Sequence, residues 1–151
     1  MHRFSRRGAI RNLVFLVASS LLASAPQSIA AEKAPLAIKG YDPIAYFTVG
    51  KPMTGLPEIE HVWDERRYRF SRAEHRELFK ADPARYAPQF ADFCAMALSL
   101  GEVVEADPEN WLISDGKLYI FGKATGPEVF RQSLAGNIAK ANQNRALIQK
   151  R

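Results

Sequence analysis

The sequence has little cysteine. Among its 151 residues Cys94 is the single cysteine, and there are three histidines. One cysteine cannot form a disulfide within the chain, so an exported form of this protein must draw its stability from packing. Aromatic residues, which suit that purpose, make up 11% of the chain. We therefore expect a packed hydrophobic core in place of a disulfide scaffold.

The sequence also lacks a hydrophobic run that could span a membrane near its start. The run LVFLVASSLLASA, at residues 13–25, is shorter than the roughly 20 residues that a bilayer requires. Four arginines precede it, and Ser28 and Ala30 stand where a signal peptidase reads small residues. This pattern predicts a secretory signal peptide over residues 1–30, cleaved after Ala30 or Ala31, and a periplasmic or secreted protein. An N-terminal membrane anchor is the alternative.

The arginine pair of this signal allows two export routes. Arg6 and Arg7 lie in the segment SRRGAIR, residues 5–11, which resembles a bacterial twin-arginine signal. Ala9 departs from that pattern, which usually has an aromatic residue there, so the general secretory route stays open. The distinction matters because the twin-arginine route carries folded proteins, often with a cofactor already bound.

The positive charge of the chain belongs largely to the signal. The full sequence has 21 basic and 16 acidic residues, and loss of the four arginines before residue 31 leaves a net charge of about +1. The arginines between residues 66 and 76 are interleaved with glutamates. They indicate a salt-bridged surface, so we expect no nucleic-acid partner, which would require a basic face.

The remainder is long enough for one domain with its own core. We expect residues 31–38 to be a flexible lead-in and residues 39–151 to form the domain. The sequence shows no internal repeat and no low-complexity tract. Once the signal is removed, we expect no integral membrane segment.

Two hairpins are predicted from turn signals. In WLISDGKLYIF, residues 111–121, alternating apolar runs flank Asp115 and Gly116, a pair that favours the type I′ turn. A second pair of strand-like runs, EHVWD and RRYRF, turns around Asp64 and Glu65.

Several short helices are predicted between and after the hairpins. Ser71 and Glu74 match a capping box, which predicts a helix over residues 72–80 with Leu78 and Phe79 inward. Three further helices are predicted: an apolar one over residues 92–101, one starting at Pro127 and an amphipathic one from Ala135. The predicted fold class is therefore α+β, a small single domain with two β-hairpins and several short helices.

Five stretches of the chain match one pattern. They are GYDPIAYF at 40–47, W-x-x-x-x-YRFSRAEHRELFKADPARYAPQ at 63–89, FCAMALSLG at 93–101, Trp111 with Asp115 to Tyr119, and Gly136 to Ala141. Together they resemble the YHS-domain family in its longer, exported bacterial form. The resemblance runs from about Lys39 to Asn144 and implies a YHS/TRASH-like core. One departure is Arg145, at a position where members of the family usually carry tryptophan.

The resemblance also implies where a metal site would lie. Short YHS domains resemble TRASH-type metal-binding domains, whose cysteines fall on Ala45, Ser71 and His75 of this chain. Alanine cannot ligate a metal and a serine hydroxyl is a poor ligand, so the thiolate cage is missing and His75 alone remains.

A metal site could still be built with new ligands. Such a site would join His75 to Cys94 and Met96, and this donor set would suit a transition metal such as copper or zinc. Cys94 and Met96 are two positions apart, so on a helix they point in different directions. The alternative interpretation is that His75 is an ordinary histidine and Cys94 a small buried hydrophobe.

No catalytic motif stands out, so we expect no enzyme. The sequence has no G-x-S-x-G, no H-E-x-x-H and no glycine-rich phosphate loop, and Cys94 as a nucleophile has little support.

Two functions remain. One is an exported binding module for a metal ion or metal-containing cofactor. The alternative is a protein-interaction module that has lost the metal site of its family and presents Trp63, Tyr68 and Tyr86 to a partner.

Overall fold

The structure, a computed structural model, describes residues 34–149. The predicted signal peptide, with Arg6 and Arg7 and the cleavage site at Ala30 or Ala31, lies outside the described residues. Within residues 34–149, no helix combines the length and the apolar character needed to cross a membrane. This part of the chain is a small α+β domain with two antiparallel two-stranded sheets and several helices, as the sequence predicts.

Short helices and hairpins alternate along the chain. The strands are β1 (Leu56–Trp63), β2 (Arg66–Phe70), β3 (Asp107–Ser114) and β4 (Lys117–Phe121). The α-helices are α1 (Ala45–Thr48), α2 (Ala73–Ala81), α3 (Pro83–Tyr86), α4 (Ala95–Ser99), α5 (Gly126–Arg131) and α6 (Leu134–Gln143). Short 3-10 helices at Ala37–Gly40 and Arg145–Leu147 precede and follow them.

Both hairpins turn on two residues in the left-handed region. Asp64 and Glu65 connect β1 to β2 with φ angles of 50° and 59°. Asp115 and Gly116 connect β3 to β4 with φ angles of 49° and 67°. Two consecutive positive φ angles define the type I′ turn, whose twist matches that of the flanking strands. Both predicted hairpins are confirmed.

The two hairpins follow one plan. In each, a strand of eight residues pairs with a strand of five. The register shifts at the same place in both, after the pair Leu56↔Phe70 in the first and after Asp107↔Phe121 in the second. Equivalent hairpin residues lie 51 positions apart along the chain.

The agreement extends to both sides of the hairpins. Each hairpin is preceded by a short helix and a left-handed glycine, Gly50 with φ 73° after α1 and Gly101 with φ 82° after α4. Asp42 and Cys94 begin these segments, and each donates a backbone hydrogen bond of 2.8 Å to the segment before its hairpin. Each hairpin is followed by a helix, α2 or α5. The fold therefore contains the same unit twice.

We call residues 36–81 the first repeat and residues 88–132 the second repeat. The expectation that the chain has no internal repeat is corrected by this structure. The repeats share few identical residues, and half of these lie in the hairpin turn or in the packed interior. The identical pairs in the aligned hairpins and following helices are Pro57/Pro108, Glu58/Glu109, Asp64/Asp115, Tyr68/Tyr119, Phe70/Phe121, Ala73/Ala124, Glu77/Glu128 and Phe79/Phe130.

The second hairpin lies between two hydrophobic clusters. Leu118 and Ile120 belong to the cluster built mainly from the first repeat. Tyr119 and Phe121 belong to the other cluster, which contains α4, Phe130 and part of α6. Successive side chains of a strand face opposite sides, so β4 contributes to both. This hairpin joins the repeats into one packed body.

The first hairpin has only one packed face. Arg67 and Arg69, at the positions equivalent to Leu118 and Ile120, bind Glu60 across the sheet at 3.2 Å and 2.7 Å. The strand sequences RRYRF and KLYIF differ for this reason. One is a half-exposed strand and the other is buried on both faces.

Two expectations about local structure are corrected. Ala37 and Ile38, predicted to belong to the flexible lead-in, are buried in the first cluster. The apolar helix expected over residues 92–101 is confined to α4, and Cys94 is its N-cap, where its sulfur accepts a hydrogen bond from the Ala97 amide at 3.4 Å. At its start the Cys94 amide donates a hydrogen bond to the Val104 carbonyl, and after its end Gly101 is in the left-handed region. The helix is therefore little more than one turn long.

The capping box predicted for α2 is also wrong. The N-cap is Arg72, which makes no side-chain cap bond. Ser71 does not cap the helix, and its hydroxyl donates to Asp42 instead. Phe79 is buried as expected, but Leu78 is 43% exposed. Neighbouring residues on a helix point about 100° apart, so Leu78 turns to solvent when Phe79 faces the core.

Candidate functional site

A buried carboxylate lies at the centre of the first repeat. Asp42 is fully buried, at the start of the segment that leads into α1. Its Oδ1 accepts a hydrogen bond from the Ile44 amide at 2.9 Å. Its Oδ2 accepts bonds from the amide and the hydroxyl of Ser71, at 2.8 Å and 2.6 Å. The same oxygen lies 2.6 Å from Nδ1 of His75. A carboxylate taken out of water needs such partners, and this one has four.

His75 is bonded through both of its ring nitrogens. Nδ1 faces Asp42, and Nε2 lies 3.1 Å from the hydroxyl of Thr48 at the end of α1. The same hydroxyl lies 3.1 Å from the Ile44 carbonyl. A hydroxyl has one hydrogen, so Thr48 either donates to Ile44 and accepts from a protonated Nε2, or donates to a bare Nε2. In both arrangements the imidazole is fixed in orientation.

We call Asp42, Thr48, Ser71 and His75 the polar cluster. It joins two parts of the chain that are about thirty residues apart: the Asp-Pro turn with α1, and the junction at which β2 is followed by α2. Hydrogen bonds to a charged acceptor are stronger than neutral ones, so this cluster holds the segments together firmly.

The polar cluster contains two of the three positions that the YHS resemblance assigns to a metal, and it adjoins the third. Those positions are Ala45, Ser71 and His75. The Ser71 hydroxyl lies 3.4 Å from His75 Nδ1, and the Ala45 amide donates to the Asp42 carbonyl at 3.2 Å. All three therefore adjoin Asp42. The sequence does not predict Asp42 as part of a site, because nothing in a linear pattern shows that a serine and a histidine about thirty residues away will surround it.

The second repeat builds the same unit without this cluster. Cys94 occupies the place of Asp42, and Gly122 and Gly126 occupy those of Ser71 and His75. A side chain added at Gly122 would lie 3.8 Å from the Cys94 Cβ, which reproduces the Ser71–Asp42 proximity. A Cβ at Gly126 would lie 2.6 Å from the Phe121 Cβ, so this helix packs too closely on its hairpin for a histidine.

This comparison separates what the fold needs from what the first repeat adds. Both repeats contain the helix, the glycine, the bulged hairpin and the following helix. Only the first contains a buried carboxylate bonded to a histidine. The unit can therefore be made from apolar packing, and the polar cluster is a particular feature of the first repeat.

The three predicted metal ligands lie in different surroundings. His75 belongs to the polar cluster, whereas Cys94 and Met96 pack in or against the second hydrophobic cluster. The Cys94 sulfur accepts from Ala97, and Met96 flanks Ser99 in α4. Among residues 34–149 no group of three or more His, Cys, Asp or Glu side chains is placed to hold a metal ion. The metal role of these residues stays a prediction.

A cleft of about 520 Å³ lies where the two repeats meet. Its walls come from the first hairpin turn at residues 63–66, the junction at residues 87–93, and the C-terminal segment at residues 145–149. The volume is in the range of small-molecule sites, which measure roughly 300–1,000 Å³. Of the aromatics proposed to contact a partner, Trp63 and Tyr68 line this cleft.

Tyr68 lines the cleft, and its hydroxyl is unpartnered among the described residues. The residue is 2% exposed, and no hydrogen bond within residues 34–149 involves its hydroxyl. The hydroxyl is nevertheless not enclosed, because Arg67 Nε is the one fully buried polar atom without a partner in this part of the chain. Tyr68 is also one of the residues that line the cleft. Burial raises the pKa of Tyr68 and Asp92 raises it further, while Arg66 opposes the shift, so the phenol is a hydrogen-bond donor at neutral pH.

Arg145 brings positive charge to the opposite wall. Its guanidinium donates to the Gln89 carbonyl at 2.9 Å and to Asn142 Oδ1 at 3.0 Å, and it stacks 4.9 Å from the Phe90 ring centre. All three partners are uncharged, and no salt bridge within the described residues includes Arg145. Arg66, by contrast, is paired with Asp92.

Tyr86, the third aromatic of that hypothesis, lies elsewhere. Its ring packs edge-on against Phe47 at 5.1 Å, and Arg85 lies over its face.

Comparisons of the chain with known protein families, with curated proteins and with solved structures find no match. The polar cluster and the cleft are thus the two features from which a function is inferred.

Proposed function

We propose that this protein is an exported binding module with a YHS/TRASH-like core, in which the polar cluster stands in place of a metal site. Its ligand is bound at the cleft between the repeats. It shares the loss of the metal site with the protein-interaction module considered from the sequence, but it differs from that module in binding its ligand at the cleft.

The contacts of Asp42 and His75 are the main support. A metal ligand must offer a free lone pair, but Asp42 already accepts four hydrogen bonds and the Ser71 hydroxyl is one of the donors. His75 Nδ1 lies too close to Asp42, at 2.6 Å, for an ion between them, because zinc–nitrogen and zinc–oxygen distances are each about 2.0–2.2 Å. The two groups are placed for a direct hydrogen bond.

The geometry of the cluster also suggests what it does. A metal bound at the family's positions would tie the Asp-Pro turn, the end of β2 and the start of α2 together. The four bonds to Asp42 join those same segments. We infer that hydrogen bonds perform the cross-linking for which related domains use thiolates and a metal.

One observation favours the metal-binding function as a second candidate. A metal-bound histidine commonly donates its other ring N–H to a carboxylate, which fixes the ring and raises its basicity. His75 has this arrangement, with Nδ1 on Asp42 and Nε2 facing the exposed Thr48. Rotation of the Thr48 hydroxyl would free Nε2 as a single ligand atom.

A competition titration separates the two candidates. Cu(I) and Zn²⁺ are titrated against the processed protein, His75→Gln and the control His61→Gln, which alters the other histidine of the described chain. We expect similar affinities for all three proteins, because neither metal uses His75. Affinity at least tenfold weaker in His75→Gln alone, about 1.4 kcal/mol, would instead establish the metal site.

A further inference from the structure

We propose that the cleft binds a small planar organic anion, of the aromatic carboxylate class. The ring lies against Trp63, and the carboxylate is held between the Tyr68 hydroxyl and Arg145. This inference rests on the proposed binding function and names the chemistry of its ligand.

The hydrogen-bond donor comes from a tyrosine that the fold does not use. Tyr68 is buried against Phe79, with ring centres 4.6 Å apart, so its position is fixed by packing. Its hydroxyl has no protein partner among the described residues, whereas the buried Tyr46 donates its hydroxyl to the Pro108 carbonyl at 2.9 Å. A fixed and unpartnered donor is ready for an acceptor on a ligand.

The sign of the ligand's charge follows from Arg145. Two of its five N–H donors serve neutral acceptors that hold the guanidinium in place. Its charge is left without a carboxylate among the described residues, whereas Arg66 is neutralised by Asp92. The acids of the rim, Asp64 and Glu65, are exposed in the hairpin turn, where water and salt screen them.

The planar shape follows from the apolar walls. Trp63 is partly exposed and lines the cleft, and the facing junction supplies Ala87, Pro88 and Phe93. These surfaces can cover the faces of a ring while the polar groups meet its substituent. A guanidinium fork suits a carboxylate because it can bond both oxygens.

The test is a titration of the processed protein followed by ¹H–¹⁵N NMR. Indole-3-acetate is the probe, with indole-3-acetamide as its neutral counterpart and acetate as its ringless counterpart. We expect indole-3-acetate to bind at least tenfold more tightly than either. Its chemical-shift changes should concentrate in residues 63–66, 87–93 and 145–149.

Matched variants locate the contacts. Tyr68→Phe removes only the hydroxyl, and its control is Tyr119→Phe, the equivalent tyrosine of the second repeat, which does not line the cleft. Arg145→Gln removes the charge, and its control is the exposed Arg131→Gln. We expect about tenfold weaker binding in Tyr68→Phe and in Arg145→Gln and no change in either control.

Two results would overturn the proposal. Equal binding of the acid and the amide at the cleft would show that a ligand binds there without its charge being recognised, which leaves the binding function standing. Absence of cleft shifts with all three probes would remove the cleft as a site for this class. Neither result depends on the His75 titration, so the two proposals fail separately.

Discussion

At the scale of single residues, the two repeats give each polar side chain a natural comparison. Asp42 and Cys94 hold equivalent places, one within the polar cluster and the other in apolar surroundings. A residue that the fold requires should be needed in both. The contrast at this position therefore makes Asp42 the most informative residue of the first repeat.

Asp42→Asn should lower the free energy of unfolding by about 3 kcal/mol or more. The amide nitrogen cannot accept, so donors from Ser71 or His75 lose their partner in a buried site, and each unpaired group costs about 1–3 kcal/mol. Urea unfolding measures the change.

The matched variant is Cys94→Ser, which we expect to cost about 1 kcal/mol or less. Serine is a favoured N-cap, and its oxygen can replace the Cys94 sulfur as acceptor for the Ala97 amide. Equal losses in Asp42→Asn and Cys94→Ser would contradict the view that the polar cluster is particular to the first repeat.

His61 makes a prediction about pH. Its pKa is lowered by partial burial first, and then by Lys80 and Arg76, with Glu77 opposing. The unfolded chain therefore binds a proton at His61 at a higher pH than the folded chain does. Through this group, stability is full above the unfolded value of about 6.5 and is lost as the pH falls below it.

NMR titration of the ring protons should give His61 a midpoint below 6.5. The His61→Gln variant should also lose less stability than the native chain between pH 7.5 and pH 5. A His61 midpoint at or above 6.5 would show that the ring is more solvated than its contact with Phe79 indicates.

At the scale of elements, the two hairpin turns have the same backbone conformation but different sequences. Glu65 and Gly116 occupy the same left-handed position, with φ angles of 59° and 67°. A residue with a side chain is destabilised in this conformation by roughly 1–2 kcal/mol relative to glycine. Part of this cost is offset because glycine loses more conformational entropy on folding.

Exchanging these residues should therefore have opposite effects. We expect Glu65→Gly to raise the free energy of unfolding by about 0.5–1 kcal/mol and Gly116→Glu to lower it by at least as much. Thermal and urea unfolding provide the measurement. Changes of the same sign in both variants would mean that the turns are not equivalent.

The elements also show what could be predicted from the sequence. Asp115-Gly116 and the alternating strands predict both hairpins, because turn chemistry and alternation are local. The bounds of α4 and the outward side of Leu78 could not be predicted, since they depend on what each helix packs against. The repeat is hard to predict from the sequence because Arg67 and Arg69 of RRYRF are only partly buried, whereas the equivalent Leu118 and Ile120 of KLYIF are fully buried.

The site illustrates the same limit. His75 was singled out by its place in a family pattern, and Trp63 and Tyr68 by their aromatic character. Asp42 and Thr48 were not recognised as its partners, and Arg145 was noted only as a departure from the family. These residues come together through the fold, and no spacing along the chain predicts that.

At the scale of the whole molecule, the chain is proposed to act after export. Processing should leave a mature protein that begins at Ala31 or Glu32, which N-terminal sequencing of the periplasmic form can establish. Replacing Arg6 and Arg7 by lysine should retain the precursor in the cytoplasm if it uses the twin-arginine route. Unprocessed protein in the membrane fraction would contradict the signal-peptide prediction.

We propose that hydrogen bonds to Asp42, in place of a metal, organise the first repeat. The ¹⁵N chemical shifts of the His75 ring test it most directly, because N–H, bare and metal-bound nitrogens are distinguishable. We predict a protonated Nδ1, and no change at either nitrogen on adding one equivalent of Cu(I) or Zn²⁺. A metal-dependent shift of Nε2 that a chelator reverses would contradict the account.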